Sequence, residues 1–166
     1  MPRISPTIQD ALNAQVNREL ASAYVYLGMA AWADEQNLAG AASWLRLQWN
    51  EELAHATKII DYISERGGQV KLAAIAEPPM QYENLLDVFR NVLSHEEEVS
   101  DAINKLYDLA VSEKDYATQT LLDWYVNEQV EEENQPMEII SLLERVGDSG
   151  SGLLLVDRRL AGRTAE

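Results

Sequence analysis

The sequence contains no cysteine. That excludes disulfides, thiolate zinc sites, cysteine-held iron–sulfur clusters and cysteine nucleophiles, and it suits a reducing compartment such as the cytoplasm. Basic residues are scarce: 13 Lys and Arg stand against 28 Asp and Glu, a formal net charge of −15. Nucleic acids and anionic membrane surfaces are recognised by basic patches, so neither is an expected partner, whereas cations are. No apolar run approaches the length of a membrane span. The opening residues, Met1-Pro2-Arg3-Ile4-Ser5-Pro6, lack the apolar stretch of a signal peptide, so none is expected. Strand-period runs and hairpin signals are missing too.

What is present is helical patterning. At 166 residues, 46% of them hydrophobic, the chain suits one domain, residues 1–166, with a sizeable core. Ser5-Pro6 reads as an N-cap followed by Pro at the first helical position, opening a helix to about Glu35. A short turn with Asn37 leads into a second helix from about Leu38 to Glu65, stopped by Gly67-Gly68. The stretch from Gln69 to Tyr82, with Glu77-Pro78-Pro79, is too long for an ordinary helix–helix turn. Extended, it spans about the 40 Å of a long helix, so it can carry the chain back and set the third helix parallel to the second. The third helix covers about Glu83 to Ser112 and the fourth about Tyr116 to Val146. The run Gly147 to Gly152 reads as a flexible breaker, a short fifth helix is expected over about 153–161, and the tail Arg163 to Glu166 is expected to fray. The fold class is therefore all-α: a four-helix bundle, about residues 6–146, with a long crossover between its second and third helices and a short C-terminal fifth helix.

Each long helix carries an acid where its inward stripe should be apolar. The first stripe is Leu12, Val16, Glu19, Ala23, Tyr26, Ala30. On the second, Glu52 and His55 share a face with Leu45 and Ile59, one heptad to either side of Glu52. The third runs Leu86, Phe89, Leu93, Glu96, Val99, Ile103, Leu106, Ala110, and the fourth Leu122, Tyr125, Gln129, Glu132, Ile139, Leu143. Mid-helix positions of antiparallel helices lie at similar heights, so four carboxylates, an imidazole and an amide converge. Alone, such a cluster repels itself and forces protonation. One or two cations resolve this, and carboxylates with a His suit iron, manganese or zinc better than magnesium or calcium. A Glu-rich bundle core with a Glu-x-x-His pair is a described di-iron arrangement. The competing reading is a buried polar network that fixes helix register, but no stripe supplies a Lys or Arg to neutralise it.

These residues resemble the bacterial non-haem ferritins. The resemblance runs from about Ile8 to Leu160 and is carried by Asn17-Arg18-Glu19-Leu20 with Tyr26, by Glu51-Glu52-Leu53-Ala54-His55, by Glu96 ahead of Ile103-Asn104-Lys105-Leu106, and by Trp124 through Glu133. It implies a ferritin-like bundle that self-assembles into a hollow cage of 24 subunits, acts as a ferroxidase on Fe(II) with dioxygen or peroxide, and stores ferric mineral. Carried over by position, Glu19, Glu52 and His55 hold one iron, Glu52 bridges, Glu96 and Glu132 hold the second, Gln129 lies close by, and Tyr26 stands beside the centre. A third iron site maps onto Glu51, Glu128, Glu131 and Glu132. Haem-binding relatives carry Met one residue after the bridging Glu; here that residue is Leu53, so no haem is expected.

The other polar and aromatic features have plainer readings. His95 is read as a surface or helix-interface residue, and Trp32, Trp44, Trp49 and Trp124 as packing residues. Pro136 removes the hydrogen bond to the Glu132 carbonyl, so a kink or bulge is expected there. The alternative function is a ferritin-like di-iron oxidase or peroxidase that stores no mineral.

Overall fold

A computed structural model describes residues 4–165; Met1–Arg3 and Glu166 lie outside the described residues. It contains five helices and, among the described residues, no strand: α1 Pro6–Glu35, α2 Ala39–Glu65, α3 Leu85–Ser112, α4 Tyr116–Val146 and α5 Gly150–Leu160. Ser5 caps α1 by accepting from the Ile8 N–H, and Asn84 and Asp115 cap α3 and α4 in the same way.

Pairs of residues across the bundle fix the helix directions. The Ile4 N–H reaches the Arg66 carbonyl, so α1 and α2 run antiparallel. Ser5 donates to Glu113 and Tyr26 to Glu96, so α1 and α3 do as well. Gln48 meets Glu132 while Arg66 meets Asp115, setting α4 antiparallel to α2. It follows that α3 is parallel to α2, as the long crossover requires.

The crossover lies along α1 by a device that the sequence conceals. Gln9, Asn13 and Asn17 stand four apart on one face of α1. Their side-chain oxygens accept from the N–H groups of Gln69 (2.7 Å), Lys71 (2.7 Å) and Ala73 (2.8 Å). The amides of Asn13 and Asn17 donate to the carbonyls of Gln69 (2.9 Å) and Lys71 (3.2 Å). Two extended residues advance about 6.6 Å and four helical residues about 6 Å, so the two repeats stay in step. The helix thus gives an extended segment the hydrogen bonds that a neighbouring strand would otherwise supply.

The core divides into two apolar halves. One gathers Met29, Trp44, Leu45, Phe89 and Leu143 with Val156 and Leu160 of α5. The other gathers Ile8, Leu12, Ile59, Ile63, Ile103 and Leu122. Between them lies the buried polar layer. The seam of α3 is shifted from the expected stripe. Leu85, Val88 and Val92 are buried beside Phe89, whereas Leu86 and Leu93 are only half-buried on its flank.

Three further differences concern α4 and the C-terminal region. Of the two distortions expected at Pro136, the bulge is absent: α4 passes through this buried residue as continuous α-helix. The expected breaker is shorter than its glycines suggest. Gly147, at φ +53°, makes the break, and Ser149 then caps α5 by accepting from the Gly152 N–H at 3.1 Å, so Gly150, Ser151 and Gly152 are helical. Nor does the tail fray at Arg163, whose side chain is tied to Glu51.

Helix α5 also completes α2. The N-cap position of α2 is Leu38, which has no capping side chain. Asp157 of α5 supplies one, accepting from the Gly40 N–H at 3.1 Å and the Ala41 N–H at 2.8 Å. This close approach requires Gly40: a Cβ there would lie 1.8 Å from the Asp157 carbonyl oxygen. Gly40→Ala is therefore expected to push α5 away and lower stability by about 3 kcal/mol, read as a fall in the urea midpoint. An unchanged midpoint would show that α5 contributes nothing to α2.

Candidate metal centre

The layer between the two apolar halves is built from α1 to α4. Glu19, Glu52, Glu96 and Glu132 are each 3% exposed or less, as is His55. Ligand atoms of Glu19, Glu52 and His55 lie within 4.8 Å of one another, and so do those of Glu52, Glu96 and Glu132. Glu52 belongs to both groups. A third group, His55, Glu128 and Glu132, has the same spacing.

The imidazole stands between the first group and the third. His55 Nδ1 is 3.8 Å from Glu19 Oε2 and 3.7 Å from Glu52 Oε2, while Nε2 is 3.8 Å from Glu128 Oε1. The Tyr125 hydroxyl donates to the His55 carbonyl at 2.7 Å, and the Trp124 ring meets the imidazole edge-on at 5.3 Å. Lys58 Nζ lies 3.7 Å from the centroid of that same Trp124 ring.

Amides and a phenol hold three of the carboxylates: Glu19 and Glu132 by one oxygen each, Glu96 by both. Gln15 donates to Glu19 Oε1 at 2.7 Å, and Gln48 donates to Glu132 Oε2 at 2.7 Å. Tyr26 donates to Glu96 Oε1, and Gln129 donates to Glu96 Oε2 at 3.2 Å. Gln129 also reaches Ser100 Oγ at 3.2 Å. Buried Glu19 Oε2 and Glu52 Oε2 have no hydrogen-bond partner. Orphaned buried carboxylate oxygens are costly unless a cation or a proton satisfies them. The residues present thus fit a pair of cations.

Electrostatics agree. Burial raises Glu52, and the charges of Glu19 and Glu96 raise it further, so its pKa stands well above the ordinary carboxylate range. Burial, with the Glu96 charge, lifts Glu132 to about 8, and burial lifts Glu96 to about 7. Burial alone would lower His55, but the nearby Glu19 and Glu52 carboxylates raise it to about 11. Burial opposes the charge on Glu19, yet its interactions with His55 and Glu52 outweigh that and lower its pKa. Burial and the Glu96 charge raise Tyr26, which keeps its hydroxyl as a donor. Protons thus occupy the metal-free centre, and a cation entering it displaces them.

The structure brings Glu19, Tyr26, Glu52, His55, Glu96, Gln129 and Glu132 together. Glu128 joins through His55. Glu51 pairs instead with Arg163, and Glu131 is exposed. His95 lies at the interface of α1 and α3, its Nε2 2.6 Å from Ser22 Oγ. Burial lowers its pKa. Gln15 and Gln48 were not anticipated. Their position four residues before Glu19 and Glu52, on the same faces, was the available signal.

A model of the ferritin-like domain matches residues 9–146. The chain is 37% identical over 161 residues to the bacterial non-heme ferritin of Staphylococcus aureus strain USA300, covering 97% of each chain. It superposes on an open-pore ferritin from the hyperthermophilic archaeon Archaeoglobus fulgidus with a TM-score of 0.96, at 45% identity, over 97% of this chain and 98% of that one. An engineered closed form of the Archaeoglobus fulgidus ferritin gives the same TM-score and identity over 98% and 99%.

Proposed function

The chain belongs to the ferritin family, and from that premise we propose that it is an iron-storage ferritin with ferroxidase activity. It acts as one ferritin-like domain that assembles into a cage of 24 subunits. The observation that carries the reading is the sharing of Glu52 between two buried ligand groups. Fe(II) is the substrate. One ion is held by Glu19, Glu52 and His55, and the other by Glu52, Glu96 and Glu132. Gln129 and Tyr26 hold Glu96 in place. Each Fe(II) gives one electron to dioxygen or peroxide, and the ferric product is hydrolysed and stored. Hard oxygen donors favour the ferric state, and the net charge of −15 attracts cations. Glu128 and Glu132 extend the ligand set toward a third position.

The test is aerobic addition of Fe(II) to the metal-free protein, with ferric absorbance and assembly size followed together. A fast phase equal to about two irons per subunit, then slower growth on a cage-sized particle, is expected from two ligand sets. Absence of the fast phase overturns the ferroxidase assignment. A fast phase on a discrete monomer or dimer overturns storage and leaves a di-iron oxidase.

A further inference from the structure

Glu51, the residue expected to hold a third ion, is already paired with a cation of this chain. Arg163 Nη2 donates to both oxygens of Glu51, at 3.0 and 2.8 Å. The two side chains are 14% and 22% exposed, so solvent screens the pair less than an ordinary surface ion pair. Arg163 Cζ lies 4.5 Å from the Trp44 ring centroid, within cation–π range. Its backbone N–H donates to the Leu160 carbonyl at 3.2 Å, which ties the tail to the end of α5. The guanidinium forms part of the lining of a cavity of about 460 Å³ that also includes Trp44, Glu138, Leu142 and Leu160. Its Nη1 is buried without a hydrogen-bond partner, so the guanidinium is incompletely satisfied where it sits.

Glu51 is close enough to the centre for its charge to act on Glu132. An iron passing outward from Glu132 toward Glu51 therefore meets a carboxylate whose charge is already neutralised by a cation of the same chain. Nη1 makes no hydrogen bond that the guanidinium would have to give up on leaving Glu51.

We propose that Arg163 is a tethered cation that competes with iron for Glu51 and so limits occupancy of the third position. This rests on the ferroxidase reading above. Arg163 is a positioning residue: it touches no iron and acts through Glu51. Iron binding at Glu51 releases the guanidinium, which couples the C-terminal tail to the movement of iron out of the pair.

Zn²⁺ is a suitable redox-inert probe, since it accepts carboxylate and imidazole ligands. Metal-free assembled protein is titrated calorimetrically with Zn²⁺, and Zn-soaked crystals locate each ion by anomalous scattering. In Arg163→Gln the ion at Glu51 is expected to bind about tenfold more tightly than in the parent. The two ions of the paired centre keep their affinity, which also shows that the variant is folded. Arg163→Lys retains the positive charge and is expected to return the Glu51 affinity toward the parent value, and adding Glu51→Gln to Arg163→Gln removes the ion. Equal affinity at Glu51 in parent and Arg163→Gln, or no ion at Glu51 in either, overturns the proposal. If the paired centre takes no ion, the ferroxidase reading falls and the proposal with it; that outcome is read at different ligands from the first.

Discussion

Glu52→Ala is expected to lower the initial rate of Fe(II) oxidation about 100-fold or more, while Glu51→Ala leaves it within about twofold. The difference follows from placement, since the two residues are neighbours in sequence with the same charge. Glu52 is 1% exposed and belongs to both buried ligand groups. Removing it leaves Glu19 and His55 for one ion and Glu96 and Glu132 for the other, with nothing shared between them. Glu51 points away and is tied to Arg163. Stopped-flow absorbance after mixing Fe(II) with air-saturated protein measures both. The metal-free Glu52→Ala protein should be no less stable than the parent, because the residue it replaces buries an oxygen without a partner. A similar loss of rate in Glu51→Ala would refute this division of roles.

How far the centre was legible in advance follows from the range of the interactions. Glu19, Glu52, Glu96 and Glu132 announce themselves because each interrupts an apolar stripe of period 3.6, a pattern local to one helix. His55 follows from its spacing of three from Glu52. The fit of α5 against α2 does not, because Asp157 caps Gly40 and Ala41 from more than a hundred residues away and nothing near Leu38 signals it. The ladder of Gln9, Asn13 and Asn17 is similar: each amide looks like an ordinary helix-surface residue until the crossover lies beside it. Glu51 shows the limit best. Its family position suggests a ligand, and only the folded tail reveals Arg163 upon it. The α3 seam was misaligned for a milder reason. Leu85, Leu86, Val88, Phe89, Val92 and Leu93 offer two overlapping stripes, and packing alone selects between them.

Metal-free protein is expected to lose stability as pH rises from 5 to 8, with the thermal midpoint falling by about 5–10 °C. Glu132 and Glu96 are raised to about 8 and about 7, whereas an unfolded Glu titrates near the ordinary value of about 4.3. Between those limits the folded state binds more protons than the unfolded state, so stability falls with pH. Glu52, raised in the same direction, adds to the slope. His55, raised to about 11, contributes stability that is full below its unfolded value near 6.5 and is lost through 11, again downward with pH. Glu19 is lowered, so its contribution disappears only in acid, below this window. Two controls isolate the centre from the rest of an acidic surface. Glu132→Gln removes one raised carboxylate and should flatten the slope, since an amide does not titrate there. Saturating Zn²⁺ should reverse it, because the metal takes the deprotonated ligands and its binding strengthens as protons leave. A midpoint in the metal-free parent that climbs from pH 5 to 8 would mean that the buried carboxylates are already ionised at pH 5, held so by interactions stronger than burial.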